Sequence, residues 1–198
     1  MIKIKEKTAK IVAWSVAGTV LVGALCYYNF IDRAAKSGAN IGDLCPDFTV
    51  STYQIVDGQF QTGGEEFTLS QHRGKIVVIN FWATYCGPCI HELPAFDQFQ
   101  KAYADDVTVI TLDGETSLSA NDLADWLNTD TQADGWENFD LTFGKYEQGN
   151  DVYNKIGFTT YALPGTLIVN REGVIVHRKD GEMRYEELEE IVLPLLKF

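Results

Sequence analysis

Apolar and polar positions divide the chain at about residue 39. Before that point, residues 11–31 (IVAWSVAGTVLVGALCYYNFI) are uncharged and mainly apolar throughout. A helix of that length crosses roughly 30 Å of hydrocarbon at about 1.5 Å per residue. Lys3, Lys5, Lys7 and Lys10 precede the run against a single Glu6, so the positive-inside rule keeps the N-terminus cytoplasmic and sends everything after Asp32 across the membrane. The length of the run, with Tyr27, Tyr28 and Phe30 at its outer end, reads as a retained anchor. The alternative is a signal peptide cut after Ala39, although such peptides usually carry an apolar region of about 7–15 residues. Cys26 lies deep in the run and follows Leu25 rather than a small residue, which argues against lipid attachment.

Beyond residue 40 the period changes. Two short strand-like pieces, 47–50 and 67–70, stand on either side of a turn at Gly63-Gly64. Residues 75–82 (KIVVINFW) form a near-continuous β-branched and aromatic run, the pattern of a central strand covered on both faces. Leu93, Phe96, Phe99 or Gln100, and Tyr103 then recur at helical spacing, and 107–112 reads as a second buried strand. A helix over about 120–127, capped by Ser119 or Asn121, leads into a polar stretch over 129–149. The chain ends with a short helix near 150–155, strands at 166–170 and 174–178 joined by a turn at 171–173, and an amphipathic helix over about 184–196. This alternation, with room for one further strand before the 150–155 helix, calls for an α/β domain over 40–198: a mixed sheet with helices on both faces.

Composition narrows the partners. The chain of 198 residues carries 16 Lys plus Arg against 28 Asp plus Glu, for a net charge of -12, which leaves no basic surface for nucleic acid or anionic headgroups. Six of the basic and only two of the acidic residues precede residue 40, so the domain that follows is more acidic still. The 4 cysteines are too few and too scattered for a disulfide-stapled scaffold.

Two of them form the chemical centre. Cys86-Gly87-Pro88-Cys89 follows the buried strand at once and opens a helix, where unpaired N–H groups and the helix dipole favour negative charge. Cys86, at the exposed edge, is expected to ionise below the free-thiol pKa of about 8.5 and to attack disulfides as the thiolate. Cys89, one turn inward, is placed to resolve the mixed disulfide, and the spacing allows the two sulfurs to bond to each other. A zinc site needs about four ligands, and neither Cys26 nor Cys45 belongs to a second Cys or His pair. An inert structural disulfide over so short a loop would stabilise little.

The run from Asn80 to Cys89, NFWATYCGPC, resembles the active-site segment of thioredoxin-fold proteins, and CIHELP from Cys89 to Pro94 narrows the resemblance to the membrane-anchored TlpA/ResA-like thiol-disulfide oxidoreductases. Pro46-Asp47-Phe48, Phe67-Thr68-Leu69, Gly74-Lys75, the run ALPGT at 162–166 and NREG at 170–173 match as well, so the likeness spans about residues 42–196. The resemblance implies a thioredoxin fold with an N-terminal β extension and an insertion, anchored by one transmembrane helix. It implies that Cys86 is the nucleophile, Cys89 the resolving thiol, and Glu92 an acid that exchanges protons with Cys89. Pro94 would bend the helix, and Pro164 would be a cis-proline against the disulfide with the Leu163 backbone pairing to substrate. Trp82, Tyr85, Gly87 and Pro88 complete the substrate-binding surface on this reading, and Glu115 aligns with a second acidic position at the cleft.

Several positions depart from the wider fold. Asn80 stands where ordinary thioredoxins carry a buried aspartate, which shifts proton transfer onto Glu92 or water. Cys45 replaces a small residue and reads as a semi-buried hydrophobe, His91 faces away from the Cys89–Glu92 side, and the 129–149 segment is longer than the core needs. The function expected is an extracytoplasmic thiol-disulfide oxidoreductase without a bound cofactor or metal. It would reduce exported disulfide-containing proteins, apocytochrome c among the candidates, and be re-reduced by a membrane electron donor. A disulfide-forming oxidase is the alternative, followed by a thiol peroxidase and a non-catalytic thioredoxin-fold adaptor.

Overall fold

The computed structural model describes residues 37–115, 117–129, 135–145, 152–157 and 163–197. The apolar run of 11–31 and Cys26 lie outside the described residues, and among those described no helix is long and apolar enough to cross a membrane. The apolar run predicted over 75–82 becomes β4 (Ile76–Trp82), with all seven residues buried. Its alternate sides feed two cores: Ile76, Val78 and Trp82 belong to one cluster, and Val77, Ile79 and Phe81 to the other. Burial on both faces is what a run of β-branched and aromatic residues without polar alternation encodes.

Around β4 the strands β1 (Thr49–Val56), β2 (Gln59–Thr62), β3 (Phe67–Thr68), β5 (Val107–Asp113), β6 (Thr142–Lys145), β7 (Gly165–Val169) and β8 (Ile175–Asp180) make one sheet. The spatial order is β2-β1-β6-β5-β4-β7-β8, with β3 pairing to β1. β4, β5 and β6 run parallel; β7, β8 and β1 are antiparallel to their neighbours. The helices are α1 (Gly87–Tyr103), α2 (Ala120–Thr129), α3 (Val152–Lys155) and α4 (Tyr185–Val192). Leu93, Phe96 and Phe99 of α1 with Leu188 and Val192 of α4 cover one face, and Val152 and Tyr153 of α3 belong to the cluster of the other. This is the expected mixed sheet flanked by helices, with the expected β extension at its N-terminal side.

Some boundaries differ for local reasons. The strand predicted over 47–50 runs instead from Thr49 to Val56, because Asp57-Gly58 closes a hairpin onto β2. Asp57 (φ 52°) and Gly58 (φ 76°) both take the left-handed backbone that such a two-residue turn requires. The piece predicted over 67–70 is a strand for two residues only and then a 3₁₀ turn, Leu69–His72. The polar 129–149 stretch, of which 130–134 and 146–149 lie outside the described residues, contains a 3₁₀ turn (Trp136–Asn138) and β6. Ser119 caps α2: its hydroxyl accepts from the Asp122 N–H at 3.2 Å while its own N–H donates to the Asp122 carboxylate at 3.2 Å. The last helix stops at Val192, and Pro194 follows in a 3₁₀ turn.

Candidate active site

Three parallel strands end side by side. Trp82, Asp113 and Lys145, the last residues of β4, β5 and β6, are linked by the registers Trp82–Asp113 and Asp113–Lys145. From Trp82 the chain turns sharply, the Cys86 N–H donating to the Ala83 carbonyl at 3.0 Å, and Cys86 becomes the N-cap of α1 with extended backbone. Pro88 follows in the first turn, where its missing N–H and fixed φ cost nothing. The chain therefore delivers both cysteines to the start of the helix, where the backbone field favours a thiolate.

Cys86 and Cys89 are joined as a disulfide with Cα atoms 5.3 Å apart. Cys86 keeps 8% of its surface in water and Cys89 none, so only Cys86 is open to a partner. Tyr85 stands 66% exposed beside them, and Gly87 and Pro88 are exposed as well. The Leu163–Pro164 peptide is cis, the Pro164 carbonyl accepts from the Gly181 N–H at 2.7 Å, and Leu163 packs against the cluster containing both cysteines. Trp82 is placed differently from the other proposed contact residues: it is fully buried against Trp126, Trp136 and Phe143. It underpins the turn and offers no face to a substrate.

Glu92 lies one turn into α1 and is only 2% exposed. Its Oε1 accepts from the Asn80 amide and its Oε2 from the Met183 N–H, both at 2.7 Å. Burial pushes its pKa up to about 7, against the pull of those two donors. Asn80 is fully buried at the middle of β4, and its own Oδ1 has no hydrogen-bond partner among the described residues. A turn of that amide would offer an acceptor to the protonated acid, so Asn80 can serve both forms of Glu92. Pro94 sits inside α1, removing one internal donor just past Glu92.

On the other side of the motif the Glu115 carboxylate accepts from the Thr84 hydroxyl at 2.5 Å and from the Ser117 hydroxyl at 3.1 Å. This places Glu115 two residues from Cys86 through a single hydrogen bond. Behind it, Lys145 and Asp113 form an ion pair with side chains 4% and 0% exposed. Sequence reasoning missed both residues. A charged side chain closing each strand segment, the apolar TVITLD and the short TFGK, was the signal available.

Two residues read from the sequence as non-catalytic lie outside the site. His91 is exposed on the outer face of α1 and pairs with Glu182 at 2.7 Å. Cys45 is buried, and loss of water drives its thiol pKa up to about 12, the setting of an inert structural cysteine.

Comparison with known proteins places this geometry among relatives. Residues 41–178 match the AhpC/TSA family. The chain is 30% identical over 178 residues to the thioredoxin-like protein YneN of Bacillus subtilis, covering 88% of this chain and 94% of that one. It is 29% identical to the thiol-disulfide oxidoreductase ResA of Geobacillus kaustophilus, covering 85% and 84%. Among solved structures, StoA of Bacillus subtilis superposes with a TM-score of 0.55 at 22% identity, over 74% of this chain and 96% of that one, a likeness of fold.

Proposed function

Since this chain belongs to the AhpC/TSA family and is a thiol-disulfide oxidoreductase of the ResA-like kind, we propose that it reduces disulfides of exported proteins from outside the membrane. The observation that carries this reading is a redox-capable Cys86–Cys89 pair at the start of α1, with only Cys86 reaching water, and the buried acid Glu92 one turn behind it.

In the reducing direction the Cys86 thiolate attacks one sulfur of the substrate disulfide. The substrate S–S bond breaks, and its other sulfur leaves as a thiolate that takes a proton from water. Cys89 then gives its proton to the Glu92 carboxylate and attacks the Cys86 sulfur, releasing the second substrate thiolate and forming the Cys86–Cys89 disulfide. A buried acid with a pKa of about 7 is well matched to that proton, since it is neither permanently charged nor permanently neutral near neutral pH. Tyr85, Gly87 and Pro88 offer the exposed contact surface, and Leu163, before the cis-Pro164, offers a backbone edge for an extended substrate. A membrane electron donor restores the dithiol with two electrons and two protons. Residues 11–31 hold the domain at the membrane with the N-terminus cytoplasmic. Exported proteins with a cysteine pair, apocytochrome c among them, are the substrate class.

The Gly-Pro pair between the cysteines is that of thioredoxin, for which the potential is about −270 mV, against about −120 mV for the oxidant DsbA. Equilibration of the full-length protein with dithiothreitol and glutathione buffers tests the direction. A potential below about −230 mV is expected. A value above roughly −150 mV would reassign the protein as a disulfide-forming oxidase.

A further inference from the structure

The buried pair Asp113–Lys145 has a structure that its packing role does not require. Taking two charges out of water costs several kcal/mol per ion, and an apolar pair of similar volume commonly serves as well or better. The two ends of β5 and β6 could therefore have closed with aliphatic residues. The pair does something an aliphatic pair cannot: it grips both polar backbone groups of one residue. The Glu115 N–H donates to Asp113 Oδ1 at 3.2 Å, and Lys145 Nζ donates to the Glu115 carbonyl at 2.6 Å as well as to Asp113 Oδ2.

The residue between them is equally constrained. Gly114 donates its N–H to the Trp82 carbonyl at 2.9 Å, and a Cβ there would collide with the Tyr153 hydroxyl, which is itself bonded to the Leu112 carbonyl at 3.0 Å. The backbone of 113–115 is thus fixed to β4, β5 and β6 together. From that fixed backbone the Glu115 side chain reaches the Thr84 hydroxyl, next to exposed Tyr85 and two residues before Cys86.

The charges do not cancel at this end of the sheet. Lys145 and Asp113 neutralise each other, and Thr84 and Ser117 bring only neutral hydroxyls to Glu115. Among the described residues no Lys, Arg or His forms an ion pair with Glu115. One half-buried negative charge is left facing the entrance to the redox motif. An acidic substrate segment is repelled there, and a basic side chain next to the reacting cysteine completes the pair.

We propose that Asp113 and Lys145 are positioning residues for Glu115, and that the carboxylate they hold selects substrates carrying a Lys or Arg beside the cysteine under attack. The proposal rests on the thiol-disulfide reading above and deepens it by naming a substrate class.

The test mixes pre-reduced full-length protein with oxidised synthetic peptides that contain one intrapeptide disulfide and differ only in Lys or Gln beside it. The readout is the ratio of the two second-order rates. A ratio of roughly 3 to 5 in favour of Lys is expected at low salt, in the range of a partly exposed ion pair, and it shrinks toward one at about 1 M salt. Glu115→Gln brings the ratio to about one. Asp113→Leu/Lys145→Met, which replaces the ion pair with an apolar one, also brings it toward one while its unfolding transition shows a folded protein; the single variant Lys145→Arg, which keeps a cation beside Asp113, retains the ratio. If the double variant does not fold, Thr84→Val, which removes the hydroxyl that anchors the carboxylate, is expected to lower the ratio instead. A ratio of one in the wild type, or an undiminished ratio in Glu115→Gln or in the folded double variant, overturns the proposal. Failure of the wild type to react with either peptide overturns the thiol-disulfide reading itself.

Discussion

Glu92 has lost its water and kept its acceptors occupied, and its protonation is therefore coupled to folding. Its pKa in the folded protein, about 7, stands above the ordinary value of 4.5. The folded state then binds the proton more tightly than the unfolded chain, so the associated stability is fully present below about pH 4.5 and lost as pH rises through about 7. At about 1.4 kcal/mol per unit, leaving Glu92 ionised at pH 8 costs the oxidised protein on the order of 3 kcal/mol. Glu92→Gln is expected to remove that slope. Its amide can donate to the Asn80 Oδ1 once the Asn80 amide turns, while its carbonyl oxygen keeps the Met183 N–H. Urea unfolding of the oxidised wild type and variant at pH 5 and pH 8 measures this. The wild type should lose more stability between the two than the variant does, while an equal loss in both assigns the titration to another group. The neighbouring acid Asp113 is also held above the usual carboxylate range by burial, with Lys145 opposing, so some slope of the same sign persists from that site.

At the scale of elements, the sheet's far edge shows how the fold manages an exposed strand. β2 is the outermost strand, and its Phe60 is bound by the Asn128 side chain of α2 through both backbone groups, N–H to Oδ1 at 2.8 Å and Nδ2 to the carbonyl at 2.9 Å. The amide acts as one residue of an additional strand and blunts the edge. Asn128→Ala is expected to cost about 1–2 kcal/mol in chemical denaturation and to leave the potential of the distant Cys86–Cys89 pair unchanged; a shifted potential would show that this edge communicates with the motif. Neither β2 nor its partner residue was legible beforehand. The Asp57-Gly58 signal is strong for a hairpin, but the sequence reading gave the turn to the more conspicuous Gly63-Gly64 pair, which also turns the chain, with Gly63 at φ 89°. β4 and α1 were legible because each buries a continuous apolar stripe that needs no partner to be recognised. β6 was legible only as room for one further strand, without bounds, because Thr142, Gly144 and Lys145 look polar; Gly144 is small because Leu112 and Val50 press on it from β5 and β1. The cysteines, Glu92 and the cis-Pro164 could be named from local motifs. Lys145 could not, since its meaning arises only when β5 and β6 lie in register.

For the whole molecule, the decisive question is which side of the membrane sees Cys86. The proposed topology rests on the four lysines before the apolar run, and the proposed chemistry depends on it, because outside the reducing cytosol the pair would take its electrons from a membrane donor. The burial pattern supplies its own reporter. In a Cys89→Ala background Cys86 is an open thiol at a helix start, whereas Cys45 is 2% exposed with its pKa driven up to about 12, so a charged maleimide reads Cys86 alone within the domain. Intact cells producing the full-length Cys89→Ala chain are expected to be labelled by this membrane-impermeant reagent, and the labelled protein should stay with the membrane through alkaline carbonate washing. Labelling that appears only after lysis would put the redox motif in the cytosol, where thioredoxin and glutathione already keep thiols reduced. The proposal of an exported reductase would then fall, while the disulfide chemistry of Cys86 and Cys89 would stand.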